Sequence, residues 1–562
     1  MIAKEFLFLL ILFVVRSSSD CTEEYSEFAV CSGHSFDSFS NIGENCWTIR
    51  VENPPQAVFV VNKSKNQHLH MIQHLHLYAA GIVVITDYGF KDFVSLFSLS
   101  LHNCSIEALK STWFLVNNNI TYFDCRHNKL RTLFKSDLEN LKKLAAADFS
   151  NNLLESIEPH TFSEMKELRE LNLSGNKLKS IPTGRLPMVW KIDLEHNLID
   201  VVPANVFTEM PKLQIIYLQY NTLRKIEYGA FKDLKYLICL LLSNNFIEEI
   251  TEFTFSGLSG TNFTILDLSS NKIRRIALGA FKEMPILKLI NLSNNSINEL
   301  NEDIFEGLDT DHLYLDHNEI EIIGNNTFRG FKSLHNLVLG DNKLSSLTAD
   351  MFGANLPHLQ GFSVRNNSIQ QLDSGLFKFT PNIEAFIISF NKLQFLPEDI
   401  FVPLRKLKRL HMQDNLIEEL TEGHIESLKS LNFLSVEHNK LTFIPLNRNS
   451  FPNLMEMRIG GNPWQCICLR ELENFLNEKK IKFVKKYYFD WQCPVCVPTY
   501  FHHCEKNTDF ARFIKIPETY KVPYTEECRI KYLSDLELLE SVGVERLFYS
   551  DPERNVIIGK FR

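Results

Sequence analysis

The sequence predicts an α/β-type solenoid: short parallel strands stacked along one side, with mostly loop and 3-10 turns along the other. Three observations lead there. The frame L-x-x-L-x-L-x-x-N-x-L recurs through most of the 562 residues, as in LRELNLSGNKL ending at Leu178 and LHNLVLGDNKL ending at Leu344. Its asparagine falls at Asn128, Asn152, Asn176, Asn197, Asn221, Asn245, Asn271, Asn295, Asn318, Asn342, Asn367, Asn391, Asn415, Asn439 and Asn462, in steps that are mostly 24 residues. Ten residues after many of these stands a phenylalanine: Phe162, Phe207, Phe231, Phe255, Phe281, Phe305, Phe328, Phe352, Phe377 and Phe401. Two weaker turns extend the series backwards, with Cys104 and Ala80 in the asparagine place.

A fixed period of this length with this frame is the leucine-rich repeat signature. The expected form is a horseshoe whose concave side is one parallel sheet. In each turn the two leucines of x-x-L-x-L-x-x point inward and the residues between them point out. The chain then turns back, which leaves backbone N–H and C=O groups inside in need of partners. The asparagine amide, with two donors and an acceptor, bridges adjacent turns, and a cysteine can take the place as a small, weak donor. The phenylalanines fill the space between turns on the convex side. Both columns are scaffold.

In chain order, residues 1–19 read as a secretory signal peptide. Lys4 is the positive end, Phe6 to Val15 the apolar core and Ser17-x-Ser19 the small-residue cleavage site. Ten apolar residues are too short to span a bilayer. The last residues, NVIIGKFR, lack the hydrophobic tail of a lipid-anchor signal. A secreted, extracellular protein without a membrane span is expected. Nine N-x-S/T sequons, at Asn62, Asn103, Asn119, Asn172, Asn262, Asn291, Asn294, Asn325 and Asn366, suit that route.

Residues 20–68 form an expected N-terminal cap, 69–462 about seventeen repeats, 463–528 a cysteine-rich C-terminal cap, and 529–562 a short tail with an apolar pattern good for one helix. The formal net charge of -9 argues against nucleic acid, which needs a basic stripe. The one dense basic run, Lys479 to Lys486, reads as solvated surface.

These residues resemble the typical 24-residue class of extracellular leucine-rich repeats, which includes Toll-type receptor ectodomains, Slit-like ligands and arthropod leucine-rich immune proteins. The resemblance covers residues 70 to 528. It implies that Cys466 and Cys468 pair with later cysteines, one of Cys493 or Cys496 and one of Cys504 or Cys528. The C-x-C…C-x-x-C spacing also allows zinc, but an oxidising route favours disulfides. Near the N-terminus Cys21, Cys31 and Cys46 are further disulfide candidates, odd in number.

Function in such a scaffold lives on the outward positions of the strands. Ile215, Cys239, Ile265 and Leu289 make the first outward position apolar in four consecutive turns, and Tyr217 and Leu241 extend the patch. Exposed apolar neighbours read as an interaction surface for a protein or lipid-like ligand. A glycan on Asn291 would crowd it. Cys239 faces outward while Cys125 points into the core, so Cys239 is a candidate for a covalent partner. His74 and His76 share a strand face and could bind metal or sense pH.

No nucleophile elbow, HExxH or phosphate loop is found, so neither an enzyme nor a cofactor is expected. The resemblance implies a secreted recognition scaffold, in innate immunity or defence, that binds a protein ligand or receptor, with a disulfide-linked or non-covalent oligomer as one form. The alternative is a matrix, guidance, adhesion or growth-factor-binding protein.

Overall fold

The computed structural model describes residues 21–484, apart from 26–27, 40–41, 43–44, 53–56, 65–66, 79–81, 116–118, 259–262, 283 and 285–286, together with Cys504. The signal segment 1–19, Ala80, Asn262, Cys493, Cys496, Cys528 and the tail 529–562 lie outside the described residues. The chain divides into two compact units: Met1–Lys272 with Glu283–Pro285, and Ile273–Lys282 with Ile286–Arg562. Both are parallel-sheet solenoids of the leucine-rich repeat type.

The first unit opens with an antiparallel pair, Cys21–Tyr25 against Phe28–Cys31. Cys21 and Cys31 stand opposite each other, with Cα atoms 4.1 Å apart, and form a disulfide. Cys46 departs from the expectation. It is a buried thiol that donates to the Thr48 carbonyl at 3.3 Å, because Cys21 and Cys31 already satisfy one another. From Phe28 onward every strand of the ladder is parallel, through Thr48–Val51, His74–Leu77 and Ser98–Ser100 to Ile265–Asp267. The repeated ladder thus starts inside the stretch read as a cap. Its early strands, such as Thr48–Val51, bury Ile49 and Val51 but lack the leucine and asparagine frame. The second unit runs from Leu287–Asn291 through seven strands to Lys482–Val484.

The asparagines do what their spacing predicts. All fifteen are buried. Asn245 is representative. Its Oδ1 accepts the Leu223 N–H of the preceding turn at 3.0 Å, and its Nδ2 donates to the carbonyls of Leu218, Leu242 and Ser243. Leu218 lies 27 residues back, so one amide ties two turns together. Cys104 keeps that relation: its thiol donates to the Leu77 carbonyl, also 27 residues back, at 3.1 Å.

The residue before each asparagine is left-handed in turn after turn, with φ 51° at Asp341, 53° at His196 and 56° at His127. Asn, Asp, His and Gly tolerate that conformation best, and they fill most of these places. At Gly175 an added Cβ would also meet Asn151 Oδ1 at 2.6 Å.

The phenylalanine column is buried from Phe162 to Phe401. Its rings lie close to one pitch apart, with centroids 6.1 Å apart at Phe207–Phe231 and 6.0 Å at Phe281–Phe305. Two-residue strands and turns make up most of the return side. Before the last strand of the ladder, the second unit carries the helix Cys466–Glu478, which buries Cys468, Leu469, Leu472 and Leu476. Cys468 pairs with Cys504, one of the partners that the resemblance implied, and Cys466 is also disulfide-bonded. That removes the zinc alternative for these two residues. Among the described residues no helix is long and apolar enough to cross a membrane.

Candidate functional site

The ladder fixes where outward side chains meet. In the first unit Ile215, Cys239 and Ile265 stand in register on successive strands, and Tyr217 stands beside Leu241. Leu289, in the second unit, stands beside His312. Within each unit the register is the one the sequence predicts, but the exposure is not. Ile215 is 5%, Tyr217 8% and Leu289 1% exposed, and Cys239, Leu241 and Ile265 are half-buried. Strands about 4.8 Å apart let each outward side chain cover its neighbours. The Lys191 ammonium also lies over the Tyr217 ring, 5.4 Å from its centroid. These six residues therefore do not form the open apolar patch expected of them.

Burial also quiets Cys239. It pushes the thiol up to about 12, with the nearby Asp267 charge adding to the effect. The thiolate is the reactive form, so at neutral pH Cys239 is a poor partner for an intermolecular bridge. Cys125 is buried in the core, as expected.

Sequence reasoning passed over a row beside the patch. The second outward place carries Asp124, Asp148, Asn172 and Asp193 on four registered strands, ending at Tyr217. Asp124 accepts from Ser100 Oγ at 3.1 Å and pairs with Arg126 at 3.2 Å. Asp148 accepts from Asn172 Nδ2 at 3.2 Å. Asp193 accepts the Glu195 N–H at 3.1 Å. Burial nevertheless raises its carboxyl to about 6, the backbone hydrogen bond offsetting only part of that cost. Burial raises Glu195 as well. At the end of the same strands His196 and Tyr220 stack at 4.3 Å, both in the left-handed conformation. Reading the charge of the second outward place turn by turn would have found this row. Attention to apolar residues alone hid it.

The other singled-out positions are dispersed. His76 lies beside Arg50 in the ladder. Burial, then the charges of His74 and Arg50, lower its pKa, so its neighbours disfavour a cation there. The sequon amides of Asn172 and Asn291 are half-buried, each accepting from the serine two residues on. Asn103, Asn119, Asn294, Asn325 and Asn366 are exposed, and Asn62 is half-buried. In the basic run Lys479 donates to the Arg448 carbonyl and Lys482 pairs with Glu456 at 3.0 Å.

Comparison with known proteins agrees with the ladder. A family model described as "Leucine rich repeat" matches overlapping stretches that together cover 136–247 and 261–441. Tsukushi of Gallus gallus is 28% identical over 159 residues, covering 28% of this chain and 42% of that protein. Osteomodulin of Bos taurus is 28% identical over 240 residues, covering 34% and 56%. Epiphycan of Mus musculus is 30% identical over 162 residues, covering 27% and 48%. The chain spans about half the length of these curated relatives. With the family model matched over more than half of its residues, and with the asparagine bridge repeated turn after turn, the chain belongs to the leucine-rich repeat family.

Proposed function

We propose that this chain is an extracellular protein-binding scaffold, of the matrix, adhesion or growth-factor-control kind, that receives its partner on outward sheet positions. The carrying observation is a division of labour within single strands. Inward places repeat the same apolar residues and the same amide, while outward places at the same strands change from acids to apolar residues to polar groups. Core packing accounts for the first set and makes no demand on the second.

The kind of scaffold is supported by its relatives. The partial likeness to Tsukushi, osteomodulin and epiphycan favours the matrix reading over the immune one that the resemblance also implied. The disulfides suit an oxidising, secreted setting.

The test is capture by the full chain, offered separately to matrix proteins, cell-surface receptors and microbial surfaces. Saturable binding to a matrix or cell-surface protein is expected. Binding confined to microbial surfaces returns the immune reading, and no saturable binding to any of them removes the scaffold reading.

A further inference from the structure

One histidine of the first unit is bonded in a way that only its uncharged form allows. His102 follows the strand Ser98–Ser100, between Tyr78 of the turn before and Arg126 of the turn after. Its ring stacks on Tyr78 with centroids 4.5 Å apart, and the Arg126 Nε–H donates to its Nδ1 at 3.0 Å. A guanidinium offers donors and no acceptor. His102 Nδ1 therefore keeps its lone pair, and the ring proton sits on Nε2. A charged imidazole donates from both nitrogens. One proton more sets N–H against N–H and cation against cation.

The charged groups that face His102 are Arg126, Asp124, His127 and Asp148. Asp124 is already engaged by Arg126 at 3.2 Å and by Ser100 Oγ at 3.1 Å, and Asp148 accepts from Asn172. The His127 ring lies 5.0 Å away. On the turn before, Arg50 lies over the Tyr78 ring, 5.0 Å from its centroid, and pairs with Glu52 at 2.7 Å. His74 and His76 stand in register with Thr48 and Arg50. A proton gained in this group thus adds to the charges of Arg50 and Arg126, whose carboxylates are in use. Burial holds the His102 pKa below its ordinary value. The Asp124 charge works against that, while Arg126 and His127 add to it.

We propose that His102 is an acid-operated release in the first unit: on taking up a proton it parts from Arg126, and the link between its turn and the next loosens. The Leu101 N–H donates to the Asp124 carbonyl at 2.7 Å and the Asn103 N–H to the Arg126 carbonyl at 3.1 Å, so these two amides report the link. Because the folded value is lowered, the link is intact at neutral pH and weakens as pH falls below about 6.5, where an unperturbed histidine titrates. The inference goes beyond the scaffold reading and does not need it, since the switch belongs to the chain alone.

The experiment is hydrogen exchange of the full chain, read by mass spectrometry at about pH 7 and about pH 5 and corrected for the chemical rate at each. Protection of Leu101 and Asn103 is expected to fall by up to about tenfold for each pH unit below about 6.5, the effect of one proton. His102→Gln keeps an acceptor for Arg126 and does not titrate, so protection is expected to hold at both pH values. Arg126→Gln takes away the opposing cation and is expected to shrink the fall. His196→Gln, at a ring of the same unit stacked on Tyr220, is expected to leave the fall unchanged. Protection that does not fall in acid, or a fall of full size in His102→Gln, overturns the proposal. Should His102→Gln fail to fold, Arg126→Gln decides: a smaller fall supports the release and a fall of full size overturns it. None of these outcomes involves a partner, so failure here leaves the scaffold reading standing.

Discussion

The asparagine column and the outward acid row run through the same strands of the first unit, yet they obey opposite rules. Each asparagine meets the backbone of its own turn and of the turn before. That backbone is the same everywhere, so the residue is the same everywhere. The acids of the outward row each accept the backbone N–H two residues on with one oxygen, and the second oxygen faces side chains, which differ from strand to strand. There Asp124 has Ser100 and Arg126 and Asp148 has Asn172, while Asp193 has no side-chain donor among the described residues. A position answering to backbone is fixed by geometry. One answering to side chains is free to vary.

The largest test of that contrast is Asn245→Ala. It strands the Leu223 N–H and removes the donor to three carbonyls. A loss of about 3 kcal/mol in chemical denaturation is expected. A loss below 1 kcal/mol would mean that water readily replaces the amide.

An outward change should act in the other direction. Asp193 titrates near 6 in the folded chain, against about 3.9 for an unperturbed aspartate. Because the folded value is raised, its contribution is fully present at low pH and is lost as pH rises through 6. Asp193→Asn is therefore expected to stabilise the chain by about 1–2 kcal/mol at pH 7, with the gain vanishing near pH 4. Equal gains at both pH values would show that the carboxyl is not held up by burial.

The smallest effect belongs to the seam's weakest link. Cys104 supplies one thiol donor where asparagine supplies an amide. Cys104→Ala should cost about 1 kcal/mol, well short of the Asn245 loss. Equal losses would remove the distinction between the two kinds of seam.

Much of the fold was legible in the sequence because it rests on a local rule. A residue at the asparagine place meets the turn one period away, and the period is visible in the letters. The phenylalanine column was legible for the same reason. The turns before Ala80 were not, since Thr48–Val51 buries only Ile49 and Val51 and carries no amide to mark it. Among site residues, the register of Ile215, Cys239 and Ile265 was readable, but their burial was not.

The sequence by itself determined the repeat, the inward apolar set, the bridging amides and the family, because each depends on one residue type recurring at one spacing. The tertiary structure alone decided that Cys21 meets Cys31 and leaves Cys46 a thiol. It also decided that the apolar row is largely covered and that Asp193 is held near 6. Those outcomes depend on which side chains from neighbouring turns lie within a few ångströms and how completely they exclude water, and spacing along the chain carries no record of either.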